Sequence, residues 1–371
     1  MTMNFESDNR IVMTLDAGGT NFVFSAMQTN KMIIEPVTVP AMADNLDLCL
    51  KNIIAGFKDV ADKLGNQKPV AISFAFPGPA DYKTGIISDL ANLPAFRGGV
   101  ALGPMLEDIF NIPVFINNDG NLYAYGEAIA GYLPEINRKL AESGSPRRFR
   151  NLAGFTLGTG FGAGIVLNNR LIIGDNSNAG EVWLLRNKVF KNINAEASAS
   201  IRAIKREYAR VAELRIDDVP EPRDIYTIAK GERSGNQPAA VRAFHHMAEA
   251  IGDAAANVAT LIDGLIVFGG GISGARDIFM PVVVDEMNSS FQDLNGNNFP
   301  RMAVKAFNTE NPHELSAFLT GEKKKISIPF SNKKISYDPM MRIGVGVSKI
   351  GTSEAISIGA YAFALQQLDK K

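Results

Sequence analysis

Residues 11–21, I-V-M-T-L-D-A-G-G-T-N, bring one carboxylate to the edge of a glycine turn. Residues 11–15 are typical of a buried strand, and residues 22–27 predict a second strand. Gly18 and Gly19 lie between the two strands and supply a turn that only residues without a Cβ tolerate. Asp16 is therefore expected at a strand end, beside backbone N–H groups that can bind phosphate oxygens, where a carboxylate can hold hydrated Mg²⁺. The alternative is a plain hairpin turn with an incidental Asp.

The same pattern occurs again near the middle of the chain. Residues 155–173 read F-T-L-G-T-G-F-G-A-G-I-V-L-N-N-R-L-I-I: an apolar strand, a glycine turn, a second strand and an Asn-Asn hairpin turn. Residues 13–34, M-T-L-D-A-G-G-T-N-F-V-F-S-A-M-Q-T-N-K-M-I-I, follow the same order. Two such units predict two similar halves that each present a phosphate loop to a shared cleft.

The second unit also fits a rival pattern. Gly158, Gly160 and Ala163 have the spacing of a dinucleotide-binding fingerprint. That fingerprint requires the glycine turn to open a helix, whereas residues 163–173 alternate and turn like a β-hairpin. We therefore favour the phosphate loop over a Rossmann-type site.

Composition excludes several classes of function. The chain has 371 residues, 46% of them hydrophobic, which is enough for two domains with sizeable cores, and its net charge of −1 indicates no polyanionic partner. Cys49 is the one cysteine, so a disulfide framework and a cysteine-based zinc site within the chain are excluded. The sequence shows no signal-peptide pattern and no apolar run near the roughly 18 residues of a membrane span. We expect a soluble, cytoplasmic protein that binds neither nucleic acid nor membrane.

Two further loops follow predicted strands. Residues 70–76 end at the rigid turn Pro77-Gly78-Pro79. Residues 113–116 bring N-N-D-G-N, residues 117–121, to the start of a helical stretch. Asp119 is a candidate base there, because polar groups at the carboxyl end of a strand can face a cleft, and a helix cap is the alternative. Gly126 inside that helix predicts close packing against another element, with the second half of the chain as a candidate.

The last glycine motif follows a buried strand at residues 265–268. Gly269, Gly270 and Gly271 would let a flat base or ribose lie against the backbone, and Ser273 is expected to cap the next helix. The long helical pattern before that strand, residues 238–261, contains His245 and His246. We interpret both as ordinary helix residues, since adjacent positions on a helix point in different directions.

Taken in order, these motifs resemble the ROK family of sugar kinases and related repressors. The resemblance is carried by D-A-G-G-T at residues 16–20, N-D at 118–119, L-G-T-G-x-G at 157–162, G-E at 180–181 and G-G-G at 269–271. It spans residues 10–275 and the final helix. It implies an α/β protein of the actin-like ATPase (ribonuclease H-like) fold, with two similar α/β domains around a nucleotide and sugar cleft. Those domains would be residues 1–130 with 353–371, and residues 131–352.

The resemblance also implies roles for individual residues. Asp119 matches the general base, and Asp16 would hold Mg²⁺ through water. The substrate-binding positions are Gly78, Asn92, Asn118, Glu181 and Glu196. The positions that bind ATP are Asp16, Gly18, Gly19, Thr20, Asn21, Gly158, Thr159, Gly160, Gly162, Gly269, Gly270 and Gly271. ATP, Mg²⁺, a small-molecule sugar and a homodimer follow from the same resemblance.

One feature of the family does not match. Its zinc ligands fall on Leu184, Asn187, Val189 and Asn194, none of which offers a thiolate or imidazole. We therefore predict that this chain binds no structural zinc. The spacing from Glu181 to Glu196 is shorter than in zinc-bearing members, so the role of Glu196 depends most on the alignment.

These features together predict ATP-dependent phosphorylation of a hexose or N-acetylhexosamine hydroxyl, a transferase of the hexokinase or glucokinase type. A catalytically inactive, sugar-binding relative is an alternative, although a binder without turnover needs no phosphate loops. A sugar-responsive transcription regulator would need a DNA-binding domain before the first strand, which begins near residue 11. The sequence does not specify the sugar.

Overall fold

The computed structural model describes residues 5–18, 20–90 and 93–370, so Gly19 and Asn92 lie outside the described residues. The strands are β1 Ile11–Ala17, β2 Asn21–Gln28, β3 Lys31–Met32, β4 Val37–Pro40, β5 Pro69–Ala75, β6 Ala80–Asp81, β7 Ile86–Ile87, β8 Val114–Asn117, β9 Leu152–Leu157, β10 Phe161–Leu167, β11 Arg170–Ile172, β12 Leu265–Gly269, β13 Ser290–Gln292, β14 Asn298–Pro300, β15 Lys305–Asn308, β16 Lys324–Ser327, β17 Lys334–Tyr337 and β18 Arg342–Val347. The helices are α1 Leu46–Leu64, α2 Leu102–Phe110, α3 Asp119–Ile129, α4 Tyr132–Glu142, α5 Ile201–Ala212, α6 Pro222–Ala229, α7 Gln237–Ile262, α8 Arg276–Met287, α9 Pro312–Thr320 and α10 Thr352–Leu368. In the described residues, every helix is too short or too polar to cross a membrane.

The chain divides into two compact units. The first contains Met1–Gly131, Gly164–Gly180 and Ile350–Lys371, and the second contains Tyr132–Ala163 and Glu181–Lys349. One boundary falls inside β10. The predicted domains, residues 1–130 with 353–371 and residues 131–352, stay a prediction about functional organisation.

The first unit is built on a sheet with the strand order β3-β2-β1-β5-β8, to which β4 adds beside β2. Strands β1, β5 and β8 are parallel, and their register aligns Asp16 with Ala75 and Ala75 with Asn117. Because parallel strands end at the same edge of a sheet, the residues that follow each of these strands lie at one edge. The sheet therefore brings together the loops after Asp16, Ala75 and Asn117.

Helix α1 covers one face of this sheet. Its buried residues Cys49, Ile53, Phe57 and Val60 recur at helical spacing, as expected for an amphipathic helix with one face in the core. The side chain of Asn45 caps the helix by accepting a hydrogen bond from the Leu48 N–H at 3.1 Å. The apolar spacing of this helix is visible in the sequence itself, so the helix is locally encoded.

Helices α3 and α10 pack with their backbones in direct contact. A Cβ added at Gly126 would overlap the Ala355 carbonyl, and one added at Gly359 would overlap the Leu122 carbonyl. Each glycine is needed because any side chain would push the two helices apart. The close packing predicted at Gly126 is confirmed, but the suggestion of the second half as its partner is wrong, since α10 belongs to the same unit.

The second unit contains the parallel strands β9, β12, β18 and β15 in that order. Every residue of β12 is buried, which explains its continuous apolar sequence. The long helix α7 packs against α8 and α5. Two exposed hairpins, β13–β14 and β16–β17, extend from this unit, and both strands of the second hairpin carry lysines.

The internal repeat predicted from the sequence is confirmed. Strands β2 and β3 join through Thr29 and Asn30, with φ of 51° and 61°, and β10 and β11 join through Asn168 and Asn169, with φ of 52° and 61°. The same left-handed two-residue turn thus closes both copies. Because Gly160 leads directly into strand β10, which forms a hairpin with β11, the Rossmann-type alternative is excluded.

Candidate active site

The first glycine turn connects β1 to β2 in the first unit. Ala17 pairs with Phe22 in the antiparallel register, so the turn between them is short. A Cβ added at Gly18 would lie 2.8 Å from the Asn21 carbonyl oxygen, which explains the glycine at that position. Thr20 and Asn21 are exposed, as a ligand-binding loop requires.

Two carboxylates of the first unit lie close enough to interact. Partial burial raises the pKa of Asp16, although part of the residue is exposed to solvent. The negative charge of Asp119 raises the pKa of Asp16 further. A divalent cation would cancel this repulsion, and carboxylate oxygens suit Mg²⁺. The described residues contain no cluster of three or more His, Cys, Asp or Glu for a metal, so Mg²⁺ here would complete its shell with water and phosphate. The residues fit that ion.

The structure separates the two roles considered for the loop after β8. Asn118 is the N-cap of α3, because its side-chain oxygen accepts from the Asn121 N–H at 2.6 Å. Asp119 is the first helical residue and is exposed, and its carboxylate accepts from the adjacent Gly120 N–H at 2.8 Å. The cap is therefore Asn118, which leaves the Asp119 carboxylate at the surface.

Asn117, the last residue of β8, holds this loop through side-chain hydrogen bonds. The sequence interpretation did not identify this role. Its side chain is fully buried, and its oxygen accepts from the Asn118 N–H and from the Asn121 amide, both at 2.9 Å. Its amide nitrogen is buried with no acceptor in the described part of the chain. An Asn closing a buried strand was the available signal, since such a residue must bond to its neighbours.

Gly78 lies in the loop after β5, at the same sheet edge. The Tyr82 hydroxyl donates to the Phe76 carbonyl at 3.0 Å and closes this loop. A Cβ added at Gly78 would stand 3.0 Å from that hydroxyl oxygen, and Gly78 itself is exposed. The sheet thus brings Gly78, Asp16 and Asp119 to one edge, whereas Asn92 lies outside the described residues.

The second glycine turn connects β9 to β10 and begins in the second unit. The Gly158 N–H donates to the Gly160 carbonyl at 3.1 Å, and the Ile201 N–H, at the start of α5, donates to the Gly158 carbonyl at 2.9 Å. Thr159 is exposed at the tip. A Cβ added at Gly162 would lie 2.7 Å from the Thr156 hydroxyl oxygen, so this glycine serves local packing.

The three glycines at the end of β12 lie beside this turn. Gly269 pairs with Thr156 on β9, and Gly270, with φ of 87°, has no room for a Cβ against the Leu157 backbone. A Cβ at Gly271 would meet nothing within 4 Å, so there is space beside the backbone of this glycine. The expected helix cap at Ser273 is wrong. Its hydroxyl donates to the Gly270 carbonyl at 2.7 Å, and α8 begins only at Arg276.

The two candidate sugar glutamates lie on two short 3-10 turns of the second unit. Glu196 contacts the glycine turn: its carboxylate accepts from the Phe161 N–H at 3.1 Å and lies 2.9 Å from where a Gly160 Cβ would be. Its other oxygen accepts from Arg202 at 3.2 Å. Glu181 is half-buried and accepts from the Trp183 indole N–H. The structure therefore places Glu196 beside the predicted phosphate loop.

His246 lies within helix α7, as predicted, but the sequence interpretation did not predict its polar contacts. It is only 5% exposed, and its ring lies 3.4 Å from the Ser198 hydroxyl and 3.6 Å from a Glu207 carboxylate oxygen. Burial lowers the pKa of His246, and the hydrogen bonds from Arg210 lower the pKa of Glu207. Its position on the buried face of α7 was the available signal.

The sheet edge with two carboxylates and the pair of glycine turns define the class of protein. The chain belongs to the ROK family, whose model matches residues 12–312. The actin-like ATPase fold predicted from the sequence is thereby confirmed.

Individual relatives extend this result. A crystal structure of a glucokinase from Parabacteroides distasonis ATCC 8503 is 53% identical, with a TM-score of 0.89 over 98% of this chain and 99% of that chain. A glucokinase of Thermotoga maritima is 26% identical over 297 residues, 75% of this chain and 88% of that protein. A ROK family glucokinase from Streptomyces griseus in complex with glucose and AMPPNP is 19% identical, covers 95% and 98% of the two chains with a TM-score of 0.56, and is similar in fold.

Proposed function

We propose that this protein is an ATP-dependent sugar kinase that phosphorylates a hydroxyl of a hexose or an N-acetylhexosamine. The observation that carries the proposal is the pair of carboxylates, Asp16 and Asp119, at one edge of a parallel sheet beside a glycine turn. Relatives that are named glucokinases support the same activity. Glucose is the first candidate substrate, because the 53% identical relative is named a glucokinase.

Asp119 is the proposed general base. It accepts the proton of the attacking hydroxyl as that oxygen bonds to the γ-phosphorus, and the bond from the γ-phosphorus to the oxygen of ADP breaks. The exposed carboxylate, free of the capping role that Asn118 takes, suits this task. Mg²⁺, held by Asp16 through water, would neutralise charge on the phosphates. The N–H groups of both glycine turns would donate to phosphate oxygens.

The sugar contacts are proposed on the same basis. Asn118 uses its side-chain oxygen as a cap, so its NH₂ group would donate to a sugar hydroxyl. Glu181 and Glu196 would each accept from sugar hydroxyls, with Gly78 and Asn92 contributing from their loops.

We also propose that the protein is a cytoplasmic homodimer. Each chain would have two functional domains, residues 1–130 with 353–371 and residues 131–352.

One assay tests the proposal. Purified protein is supplied with ATP, Mg²⁺ and one of a panel of hexoses and N-acetylhexosamines, and release of ADP is coupled to an optical signal. We expect ADP release that depends on at least one sugar, with a matching sugar phosphate as product. Sugar binding by calorimetry without turnover on any member of the panel would instead identify an inactive, sugar-binding protein.

A further inference from the structure

Residues 185–198 form a loop, here called the Asn187 loop, that begins and ends on the two glutamate-bearing turns. The Ala195 N–H donates to the Leu185 carbonyl at 2.8 Å, and the Asn187 N–H donates to the Ile193 carbonyl at 2.9 Å. These bonds hold the ends of the loop together. The loop therefore fixes where the turn Ala195–Ala197, and with it Glu196, lies.

The side chain of Asn187 organises the interior of the loop. It is 3% exposed, and its oxygen accepts from the Val189 and Phe190 N–H groups at 2.8 and 3.1 Å. Its NH₂ group donates to the Asn194 carbonyl at 3.0 Å and to the Ser198 hydroxyl at 2.9 Å. One amide thus uses both acceptor and both donor sites. No other residue type offers that set of bonds at this length.

The far end of the loop is held by a buried polar cluster. Ser198, which is fully buried, contacts the ring of His246 on α7, and His246 contacts Glu207 on α5. Buried polar groups that pair with one another favour one arrangement, because any other leaves a desolvated group unpaired. The cluster therefore anchors the loop to two helices of the second unit.

We propose that Asn187 and Ser198 are positioning residues that hold Glu196 against the second glycine turn. Asn194 completes the connection, since its side chain accepts from the Ala197 N–H at 3.3 Å and caps the turn that carries Glu196. Glu196 in turn accepts from the Phe161 N–H. The consequence for catalysis rests on the proposed function, whereas the positioning itself does not.

Amide hydrogen exchange tests the positioning without any activity. The Phe161 N–H donates to Glu196, so its exchange reports whether that carboxylate is in place. Asn187→Ala should speed exchange at Phe161 about fivefold to tenfold, the factor that one lost hydrogen bond typically carries. Exchange at Val267, in the buried strand β12, reports general opening of the unit and should change less.

Asn297→Ala is the matched control. Asn297 is exposed on the β13–β14 hairpin, and its side chain donates to Asp293 at 2.9 Å. The same chemical change there should leave exchange at Phe161 unaltered. If Asn187→Ala does not fold, Ser198→Ala replaces it, because it removes the hydroxyl between Asn187 and His246. Unchanged exchange at Phe161, or an equal rise at Val267, would overturn the proposal.

A double-mutant cycle then tests the effect on turnover. If Asn187 acts through Glu196, Asn187→Ala should lower kcat/KM about tenfold in the parent and less than about twofold in a Glu196→Ala background. Additive losses would show a general structural role and overturn the functional part. Absence of kinase activity with every sugar would contradict the proposed function, while the exchange experiment would still decide the positioning.

Discussion

The two glycine turns share a backbone plan and differ in the source of their carboxylate. In T-L-D-A-G and T-L-G-T-G, Asp16 corresponds to Gly158. The first turn keeps its carboxylate in the strand that leads into it. The second receives Glu196 from a distant segment, and that carboxylate is engaged by the Phe161 N–H and Arg202.

This difference shows that two turns with the same backbone arrangement can differ in the charges that surround them. Asp16 and Asp119 are two like charges that repel each other, and a cation between them would relieve that repulsion. At the second turn, an N–H group and a guanidinium already neutralise the carboxylate, so this turn is better suited to donate remaining N–H groups to an anion. The repeat is therefore a repeat of geometry and not of charge.

The largest expected effect comes from removing the charge beside the first turn. Asp119→Asn should lower kcat by about 10²–10⁴, the range typical of losing a general base. Sugar affinity should stay within several-fold, and the Tm should stay close to the parent's. Two small effects on stability oppose each other, because the variant loses a favourable charge at a helix N-terminus and also loses repulsion with Asp16. Turnover near the parent's rate would mean that Asp119 is not the base.

The second turn is tested by adding a methyl group at a glycine whose surroundings have space for it. A Cβ at Gly158 meets nothing within 4 Å, so Gly158→Ala should fold normally and weaken ATP binding about tenfold if phosphate approaches that backbone. Calorimetry with ATP and with sugar measures the two affinities separately. Gly160→Ala is the comparison, since its Cβ would press on Glu196 and should affect both ligands. Unchanged ATP affinity in Gly158→Ala would remove this turn from the nucleotide site.

A smaller effect is expected on stability at the first turn. The pKa of Asp16 is raised above its ordinary value of 3.8, so the folded state binds protons more readily than the unfolded state. The contribution of this proton to the free energy of unfolding is fully present below pH 3.8. It is lost as the pH rises through the pKa of Asp16 in the folded state. Asp16→Asn should therefore raise the Tm at pH 7 by about 1–2 °C, a gain limited by solvent screening.

Thermal melts of the two proteins from pH 7 down to acid check this sign. The gain should shrink as the pH falls, because Asp16 becomes protonated in the parent. Mg²⁺ with ATP should stabilise the parent more than the variant, since a ligand stabilises the state that binds it. A variant that melts below the parent at pH 7 would contradict the electrostatic account.

Treatment with a zinc chelator is expected to leave stability unchanged, because we predict that the chain binds no structural zinc. The hydrogen bonds within the Asn187 loop come from Asn187, Asn194 and Ser198, and no metal is needed to form them. Metal analysis of tag-free protein should give well under one zinc per chain, and a chelator should leave the Tm unchanged. A stoichiometric, chelator-resistant zinc would show that the loop is held differently.

Much of the fold could be predicted from the sequence because it is locally encoded. The strand-turn-strand copies, the Asn168-Asn169 turn and α1 each follow from residue spacing and from residues that tolerate a left-handed turn. The glycines at positions 18 and 158 likewise mark turns without any knowledge of tertiary structure. The parallel order of β1, β5 and β8 then follows from the fold implied by the family resemblance.

The rest depends on contacts between distant residues. The engagement of Glu196 with Phe161 spans 35 positions, and no local pattern in the sequence encodes it. The partner of Gly126 was missed for the same reason, because α10 follows more than two hundred residues later. His246 has no neighbour in sequence that indicates its partners Ser198 and Glu207.

The backbone contact of α3 with α10 has a consequence for the order in which the protein is made. The ribosome completes every segment of the second unit before it delivers Thr352–Leu368, on which the first unit depends. Asp119 heads the helix against which this last segment packs. A nascent chain released before residue 352 would therefore have a finished second unit and an unsupported α3. The first unit is therefore incomplete until Thr352–Leu368 has been made.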